Sequence, residues 1–482
     1  MRKIPGRGIA PTAVAIATLI GLSGFAALAP AAAQEPAAPI ALVASGLTNP
    51  RGMAWDAAGA LYVAQAGTGR TETSVGAAAS VARIEDGCPV PVVAGLPSTR
   101  GMSGAVQGPS DIAFLDGALY VLQDSQDDRG DLKATFPNGV YAATAQGGVR
   151  RVAGISAWMD ANAAATIPYD RGKLGETYAM LTGDGFLWVV ESNEGQILRV
   201  TPDGSIARVA DLSDAHPVPT GIAPAPDGGV YVANLTTTPY PAGAAHVVHI
   251  SPTGDVATVW TGLTMVAALA VGDDGALYAL ELSTDNSGEA PYIRPGSGRV
   301  VAQTGPDTLR EVATGLDFPI GMTAGPDGAL YVSSPAMGSD GPAGAIVRID
   351  PHADAAAPPD DLYAAADCPG YQEARAALVA QLVQMTPPQP TPEPAATPQP
   401  AAVQIDILHF AFNPPALTIE AGTTVTWTNH DLMAHTAIAT DGAFSSGYLS
   451  MGESFSFTFT TPGTYTYFCT PHPYMTGVIV VA

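Results

Sequence analysis

The sequence predicts an all-β protein: a six-bladed β-propeller, then a short helix, a proline-rich linker and a small β domain at the C-terminus. Composition is the first reason. Gly and Pro are abundant, 53 and 43 of 482 residues, while aromatic residues make up only 7% and charged residues 13%. That mix suits many short strands joined by tight turns. The second reason is a unit that recurs six times between Ile40 and Asp350: an apolar run, a turn with Asp-Gly or Gly, and a run of the Leu-Tyr-Val type. The third is the tail, where strand-like runs at Thr464–Phe468 and Gly477–Val481 flank a loop rich in metal-binding side chains.

The six copies read GMAWDAAGALYVAQ (52–65), SDIAFLDGALYVLQ (110–123), YAMLTGDGFLWVVE (178–191), GIAPAPDGGVYVAN (221–234), VAALAVGDDGALYALE (266–281) and IGMTAGPDGALYVSS (320–334). A repeat of about 40–50 residues with four strands each is the mark of a propeller blade. Each copy continues into a third and a fourth run, the fourth usually ending in Gly-Leu, as in Val92–Leu96, Val259–Leu263 and Val312–Leu316. The last copy has a third run (Ala345–Ile349) and no fourth, whereas Ala41–Leu47 is a fourth-run sequence with no blade before it. The N-terminal strand is therefore expected to complete blade six, which would remove the open edges of the ring.

Region 40–350 resembles the ScyD/ScyE family of secreted, NHL-like propellers. Gly46-Leu-Thr-Asn-Pro-Arg-Gly52, Val218-Pro-Thr-Gly-Ile222 and Thr236-Thr-Thr-Pro-Tyr-Pro-Ala-Gly-Ala244 carry the resemblance. It implies architecture rather than a reaction, because a propeller is a scaffold for many activities. The connections between the second and third runs are long in five blades, and only Asn193-Glu-Gly195 in blade three is tight. Up-and-down strand order gathers those loops on one face, where a small-molecule ligand or a partner is expected, against the plainer reading of solvated decoration. Asp111, Glu191 and Glu281 are candidates for catalytic or Ca2+-binding acids, against a solvated or turn-capping role. Nothing else in the sequence supports calcium.

Residues 351–385 form an extension containing the best helical pattern, Tyr371–Met385, with Ala374, Leu378, Leu382 and Met385 as the expected packing stripe. Thr386–Ala402 is rich in proline and carries nothing large and apolar. It reads as a semi-rigid tether of polyproline II character, spanning about 50 Å at most.

Region 403–482 carries the chemistry. Cys469-Thr-Pro-His472-Pro-Tyr-Met475 sets a thiolate, an imidazole and a thioether at Cys-x2-His-x2-Met spacing, and His435 adds a second imidazole upstream. One Cys, two His and one Met form the mixed N/S set of a trigonal His2Cys copper site with a weak axial thioether. The plainer reading makes Cys469 a buried structural thiol and Met475 a core residue. His409 and His430 read as ordinary surface or loop histidines. Phe412-Asn-Pro-Pro-Ala-Leu417, Ile419-Glu-Ala-Gly422 and Val425-Thr-Trp427-Thr-Asn429-His-Asp431, with His435 and the Cys469–Met475 loop, make this region similar to the cupredoxins, the small blue copper proteins. The short ligand loop is most like the amicyanin and pseudoazurin side of that family.

The resemblance implies a Greek-key β-sandwich, one type 1 copper, equatorial ligands His435, Cys469 and His472, and axial Met475. It also implies electron transfer to a redox partner protein through the edge of His472. The match departs at Thr436, where several relatives carry Asn beside the first ligand.

Formal net charge is −24, and Arg2, Lys3 and Arg7 lie in a stretch without acids, Met1–Ala33. That stretch reads as a signal peptide: a basic start, an apolar run and Ala31-Ala32-Ala33 as a cleavage site. Its null is a retained anchor. After cleavage no later segment is apolar enough to span a membrane, so a secreted, periplasmic or extracellular protein is expected. So acidic a chain repels nucleic acid and anionic membranes, which excludes those partners. Of Cys88, Cys368 and Cys469, the first two are the only pair left for an intramolecular disulfide if Cys469 holds copper. Two functional readings remain open from the sequence. One is a copper electron carrier tethered to a ligand- or partner-binding propeller. The other is a propeller enzyme, oxidoreductase or lyase, that passes electrons to the copper domain. No nucleophile motif and no Cys-x-x-Cys-His haem site supports the second.

Overall fold

The computed structural model describes residues 38–69, 79–100, 106–124, 136–166, 176–237, 239–284, 293–337, 342–359, 362–363, 368, 370–385, 403–408, 411–430, 435–440, 442–447, 449, 453–469 and 475–482. The expected signal segment Met1–Ala33, the 386–402 stretch, His409 and His472 lie outside those residues. All that follows concerns Pro39–Ala482.

Between 40 and 349 the chain forms six four-stranded antiparallel sheets, taken in order along the sequence. The first sheet is Pro50–Trp55, Leu61–Gln65, Ala79–Glu85 and Cys88–Leu96. The second is Pro109–Leu115, Ala118–Gln123, Gly139–Ala143 and Val149–Gly154, and the third is Thr177–Thr182, Leu187–Glu191, Gln196–Val200 and Ile206–Asp211. Pro219–Pro224, Val230–Asn234, Ala245–Ile250 and Val256–Leu263 make the fourth; Val266–Val271, Leu277–Glu281, Gly298–Gly305 and Thr308–Leu316 make the fifth. The sixth joins Met322–Ala324, Leu330–Ser333 and Gly344–Ile349 to the N-terminal strand Ile40–Leu47, with Ile40 opposite Ile349 and Leu47 opposite Gly344.

The repeated turn has a local cause. Asp56 Oδ1 accepts the amides of Ala58 and Ala60 at 2.9 Å, and Gly59 takes φ +82°. Asp227 with Gly228, Asp274 with Gly275 and Asp327 with Gly328 repeat the device, each glycine at positive φ. A carboxylate tying its own turn and a residue free to enter the left-handed region close each two-stranded ribbon tightly. Another recurrent glycine has a packing cause. A Cβ on Gly52 would lie 1.8 Å from Asp111 Oδ1, on Gly221 2.7 Å from the Ala268 backbone, and on Gly321 2.3 Å from the Arg51 carbonyl. These positions bring the first strand of one sheet against the first strand of another. Such contacts link each sheet to the next, and Met322–Ala324 also touches Pro50–Trp55. Between sheets the core is apolar, with Trp188, Trp260 and Tyr278 buried.

Helix α1 (Ile155–Ala161) follows the second sheet, and helix α2 (Tyr371–Met385) has the bounds its sequence pattern predicts. The packing face of α2 keeps Leu378 from the expected stripe and departs from it at Ala374, while the side chains of Leu382 and Met385 lie outside the described residues. Ala374 is exposed, while Tyr371 is buried and Arg375, Leu378 and Val379 are half-buried along the same side. Tyr371 Oη bonds Gln65 Nε2 at 2.5 Å and Ser80 Oγ at 3.0 Å, so a polar anchor rather than an alanine stripe seats the helix beside Cys88–Leu96. A disulfide joins Cys88 to Cys368, Cα–Cα 5.5 Å, across 280 positions of sequence.

Region 403–482 is a β-sandwich. One sheet holds Phe412–Asn413, Val403–Ile407, Thr423–Asn429 and Ser454–Phe459. The other holds Ala416–Ile419, Thr476–Val481, Gly463–Phe468 and Ile438–Ala439. Period-two patterning decides the faces. Val425, Trp427 and Asn429 point inward and are buried; Thr424, Thr426 and Thr428 point outward and pair with Thr458, Ser456 and Ser454 at 2.8–2.9 Å. Trp427 anchors the core, 5.0 Å from Phe444 and 5.5 Å from Tyr467 between ring centroids. Among the described residues no helix is long and apolar enough to cross a membrane.

Candidate metal centre

Sheet pairing brings together residues far apart in sequence. Ile438–Ala439 pairs antiparallel with Tyr467–Phe468, which sets the segment after His435 beside Cys469. His435 is clamped through its backbone, donating to the Leu449 carbonyl at 3.0 Å and accepting from the Leu449 amide at 2.7 Å. Buried Asn429 donates its side-chain amide to the same carbonyl at 2.8 Å, tying this loop to the end of the central strand. On the other side, Cys469 N–H donates to the Met475 carbonyl at 3.1 Å and closes the loop that carries the thiol and thioether.

The result is a buried donor set. Cys469 and His435 are 0% exposed and Met475 3%. Cys469 Sγ stands 3.5 Å from His435 Nδ1 and accepts the Thr436 amide at 3.3 Å. Two donors held about 2.0–2.3 Å from one ion at a trigonal angle stand roughly 3.5–4 Å apart, so this pair fits a shared metal. The amide on sulfur comes from the backbone, so it does not depend on the side chain at 436. Sequence reasoning attended to that side chain and missed the backbone donor. Three of the four expected ligands, His435, Cys469 and Met475, thus come to one end of the sandwich, in one apolar cluster for Cys469 and Met475. The fourth, His472, lies outside the described residues. His430 is turned elsewhere, its Nε2 3.0 Å from Asp406 Oδ1.

A β-sandwich that buries a thiol, an imidazole and a thioether at one end defines the small copper proteins. Residues 400–482 match the copper binding proteins, plastocyanin/azurin family. Amicyanin of Paracoccus denitrificans is 36% identical over 99 residues, 20% of this chain and 76% of that protein. Amicyanin-alpha of Methylorubrum extorquens is 35% identical over 85 residues, 17% of this chain and 71% of its own length. Plastocyanin of Scenedesmus fuscus is 41% identical over 74 residues, 13% of this chain and 76% of that one. Through its C-terminal domain the chain belongs to the plastocyanin/azurin family, and copper is the cofactor of that domain.

Of the three candidate acids of the sheets, Glu191 and Glu281 are fully buried and Asp111 is half-buried. Each is committed to the scaffold, and they lie in three different sheets. Asp111 accepts the amides of Ile112 and, from the third sheet, Met180, both at 2.8 Å. Glu281 accepts the Thr264 amide at 2.6 Å and pairs with Arg299. Glu191 accepts the amides of Asn193 and Glu194 at 2.9 Å, capping the tight turn that replaces a long loop in the third sheet. Among the described residues no group of three or more His, Cys, Asp or Glu side chains is placed to hold a metal ion. Sequence reasoning also missed Arg51, known only as part of a Pro-Arg-Gly motif. Its buried guanidinium donates to the carbonyls of Ala336 at 2.6 Å and Val106 at 2.7 Å.

Burial pushes the Glu191 carboxyl up to about 8, against the pull of the Glu194 and Asn193 amides. In the unfolded chain a glutamate titrates near 4.3. The folded state therefore holds the extra proton between about pH 4 and 8. This contribution to stability is complete below the unfolded value and lost as pH rises through 8. Glu191→Gln should flatten that slope, by on the order of 2–4 kcal/mol between pH 5 and 8.5. Urea midpoints at the two pH values measure it, and equal slopes in wild type and variant would refute the effect.

Proposed function

We propose that the protein is an extracytoplasmic type 1 copper electron carrier in which a cupredoxin (403–482) is tethered by residues 386–402 to a ligand- or partner-binding propeller. His435, Cys469 and His472 would hold the copper as its strong donors, with Met475 as the weak thioether donor. The observation that carries this reading is the buried 3.5 Å approach of His435 Nδ1 to Cys469 Sγ, with the Thr436 amide on the sulfur. Copper supplies one-electron exchange between Cu(I) and Cu(II). The chain's part is to fix the donors: the Leu449 clamp holds His435, and the Cys469–Met475 bond holds the loop. A thiolate that accepts a backbone amide bond is less electron-rich, which tunes the potential upward. In this reading electrons pass to the redox partner through His472.

The six sheets, in this reading, are the blades of a ScyD/ScyE-like propeller. Three features support it: the sheets follow in sequence order, their first strands touch in a closed circle, and strand Ile40–Leu47 completes the last sheet. The alanine-rich N-terminal segment with its small-residue cleavage site supports export.

Copper titration tests the function directly. One equivalent of Cu(II) should give an intense visible band and an EPR signal with narrow hyperfine splitting; colourless binding would refute it. Met475→Leu should keep the colour and raise the potential, because a weak donor that favours Cu(II) is removed. A tenfold change in preference corresponds to about 59 mV, and a rise of roughly that size is expected by redox titration. An unchanged potential would place Met475 off the metal.

A further inference from the structure

The segment that carries His435 is one side of a short antiparallel ribbon, and the ribbon is irregular beside the sulfur. His435 bridges Leu449, and Ile438 bridges Ser445. Two residues, 436–437, separate those bridges on the ligand side and three, 446–448, separate them on the other, so the register slips by one. A slip of this kind takes away the carbonyl that regular pairing offers to an N–H. Ser446 supplies the missing acceptor with its side chain. Its Oγ accepts the Ala437 N–H at 2.8 Å and donates to the Gly447 carbonyl at 2.6 Å. The second bond commits the hydroxyl proton and leaves a lone pair for Ala437. Gly447 takes φ +66°, the left-handed region, at the slip itself.

Successive N–H groups of a strand point to opposite sides. The His435 N–H goes to Leu449 and the Ala437 N–H to Ser446, while the Thr436 N–H between them goes to Cys469 Sγ at 3.3 Å. The donor on the sulfur is therefore held through its two neighbours, one clamped by backbone and one by a hydroxyl. His435, Thr436 and Ala437 are all buried, so water cannot take the place of either clamp. Ser446 also donates its own N–H to the Ala437 carbonyl at 3.1 Å, a bond that survives loss of the hydroxyl.

We propose that Ser446 is a positioning residue of the copper centre: its hydroxyl holds the Ala437 amide and so aims the Thr436 amide at the Cys469 sulfur. The inference rests on the copper reading above and adds a tuning residue outside the ligand set. A sulfur that keeps this amide donates less electron density, which favours Cu(I).

Ser446→Ala in the full chain tests it with two readouts. In the copper-free protein the Thr436 and Ala437 amides should exchange with deuterium about tenfold faster than in wild type, while those of the core strand Thr423–Asn429 keep their rates. In the copper-loaded protein the visible band should persist, because no donor is removed. Preference for Cu(I) should fall about threefold, a drop of roughly 30 mV at about 59 mV per tenfold. Ser446→Thr retains the hydroxyl and should restore both readouts, which a merely structural role would not require. If Ser446→Ala does not fold, Gly447→Ala carries the test. A Cβ there meets nothing within 4 Å but is strained at positive φ, so it disturbs the carbonyl that orients the hydroxyl and should move both readouts the same way. Unchanged exchange at Thr436, an unchanged potential in a blue protein, or a Ser446→Thr variant that behaves as Ser446→Ala would overturn the proposal. Colourless copper binding by wild type rejects the copper reading alone, and the exchange rates of the copper-free protein still decide what Ser446 holds.

Discussion

Cys469→Ala is expected to abolish the intense visible absorption of the copper-loaded protein. The sulfur is the one donor in the set able to give a strong charge-transfer band, and no other thiolate can replace it. Cys88 and Cys368 are joined to each other, which leaves Cys469 as the free cysteine. His435 would remain, held by Leu449 rather than by the sulfur, so the variant should still bind Cu(II) through nitrogen, more weakly and almost without colour. The substitution removes a single atom from a core carried by Trp427, Phe444, Phe459 and Tyr467, so the fold should survive. Near-ultraviolet circular dichroism of the aromatic cluster verifies that survival. The reading of the site collapses if the variant keeps a band of wild-type intensity, or if wild type loaded with copper shows none.

Much of this was legible in the sequence because it is encoded locally. An Asp-Gly turn between a short apolar run and Leu-Tyr-Val specifies a ribbon wherever it occurs, and six such ribbons with one displaced fourth run imply the Ile40–Leu47 pairing with Gly344–Ile349. The candidate copper ligands stood out in the sequence because three of them share one loop and their chemistry is distinctive. What escaped is set by tertiary packing. Asp111, Glu191 and Glu281 were visible as acids, but whether water or backbone amides surround a carboxyl depends on neighbours up to 69 positions away, as with Asp111 and Met180. Helix α2 has its predicted bounds, but its anchor escaped, because Tyr371 finds Gln65 and Ser80, some 300 positions distant. The Thr436 amide on sulfur is a backbone contact, invisible to any reading of side-chain identity.

Removing the disulfide with Cys88→Ser and Cys368→Ser should lower the stability of the six-sheet region by about 2–4 kcal/mol. The bridge sits at a seam. Cys88 begins the last strand of the first sheet, and Cys368 packs its Cβ 3.5 Å from the position a side chain on Gly46 would take, in the strand that completes the sixth sheet. Ser45 N–H donates to the Gly87 carbonyl at 3.3 Å across the same seam. The cross-link therefore fastens the extension carrying α2 over the place where the first and last sheets meet. A closed loop of 280 residues makes the entropy that the unfolded chain regains on losing the cross-link large; strain and residual structure reduce the effect to the stated range. Both cysteines are half-buried, so serine hydroxyls at these positions can be hydrated and the loss measures the cross-link itself. For a region of this size the change corresponds to a fall in Tm of about 3–6 °C. Because a separate core surrounds Trp427, the copper-linked transition should stay where it is while the six-sheet transition moves down in a calorimetric scan. Two unshifted transitions would show that the bridge does not secure the closure, and free thiols at both positions in the non-reduced wild-type protein would show that it is absent.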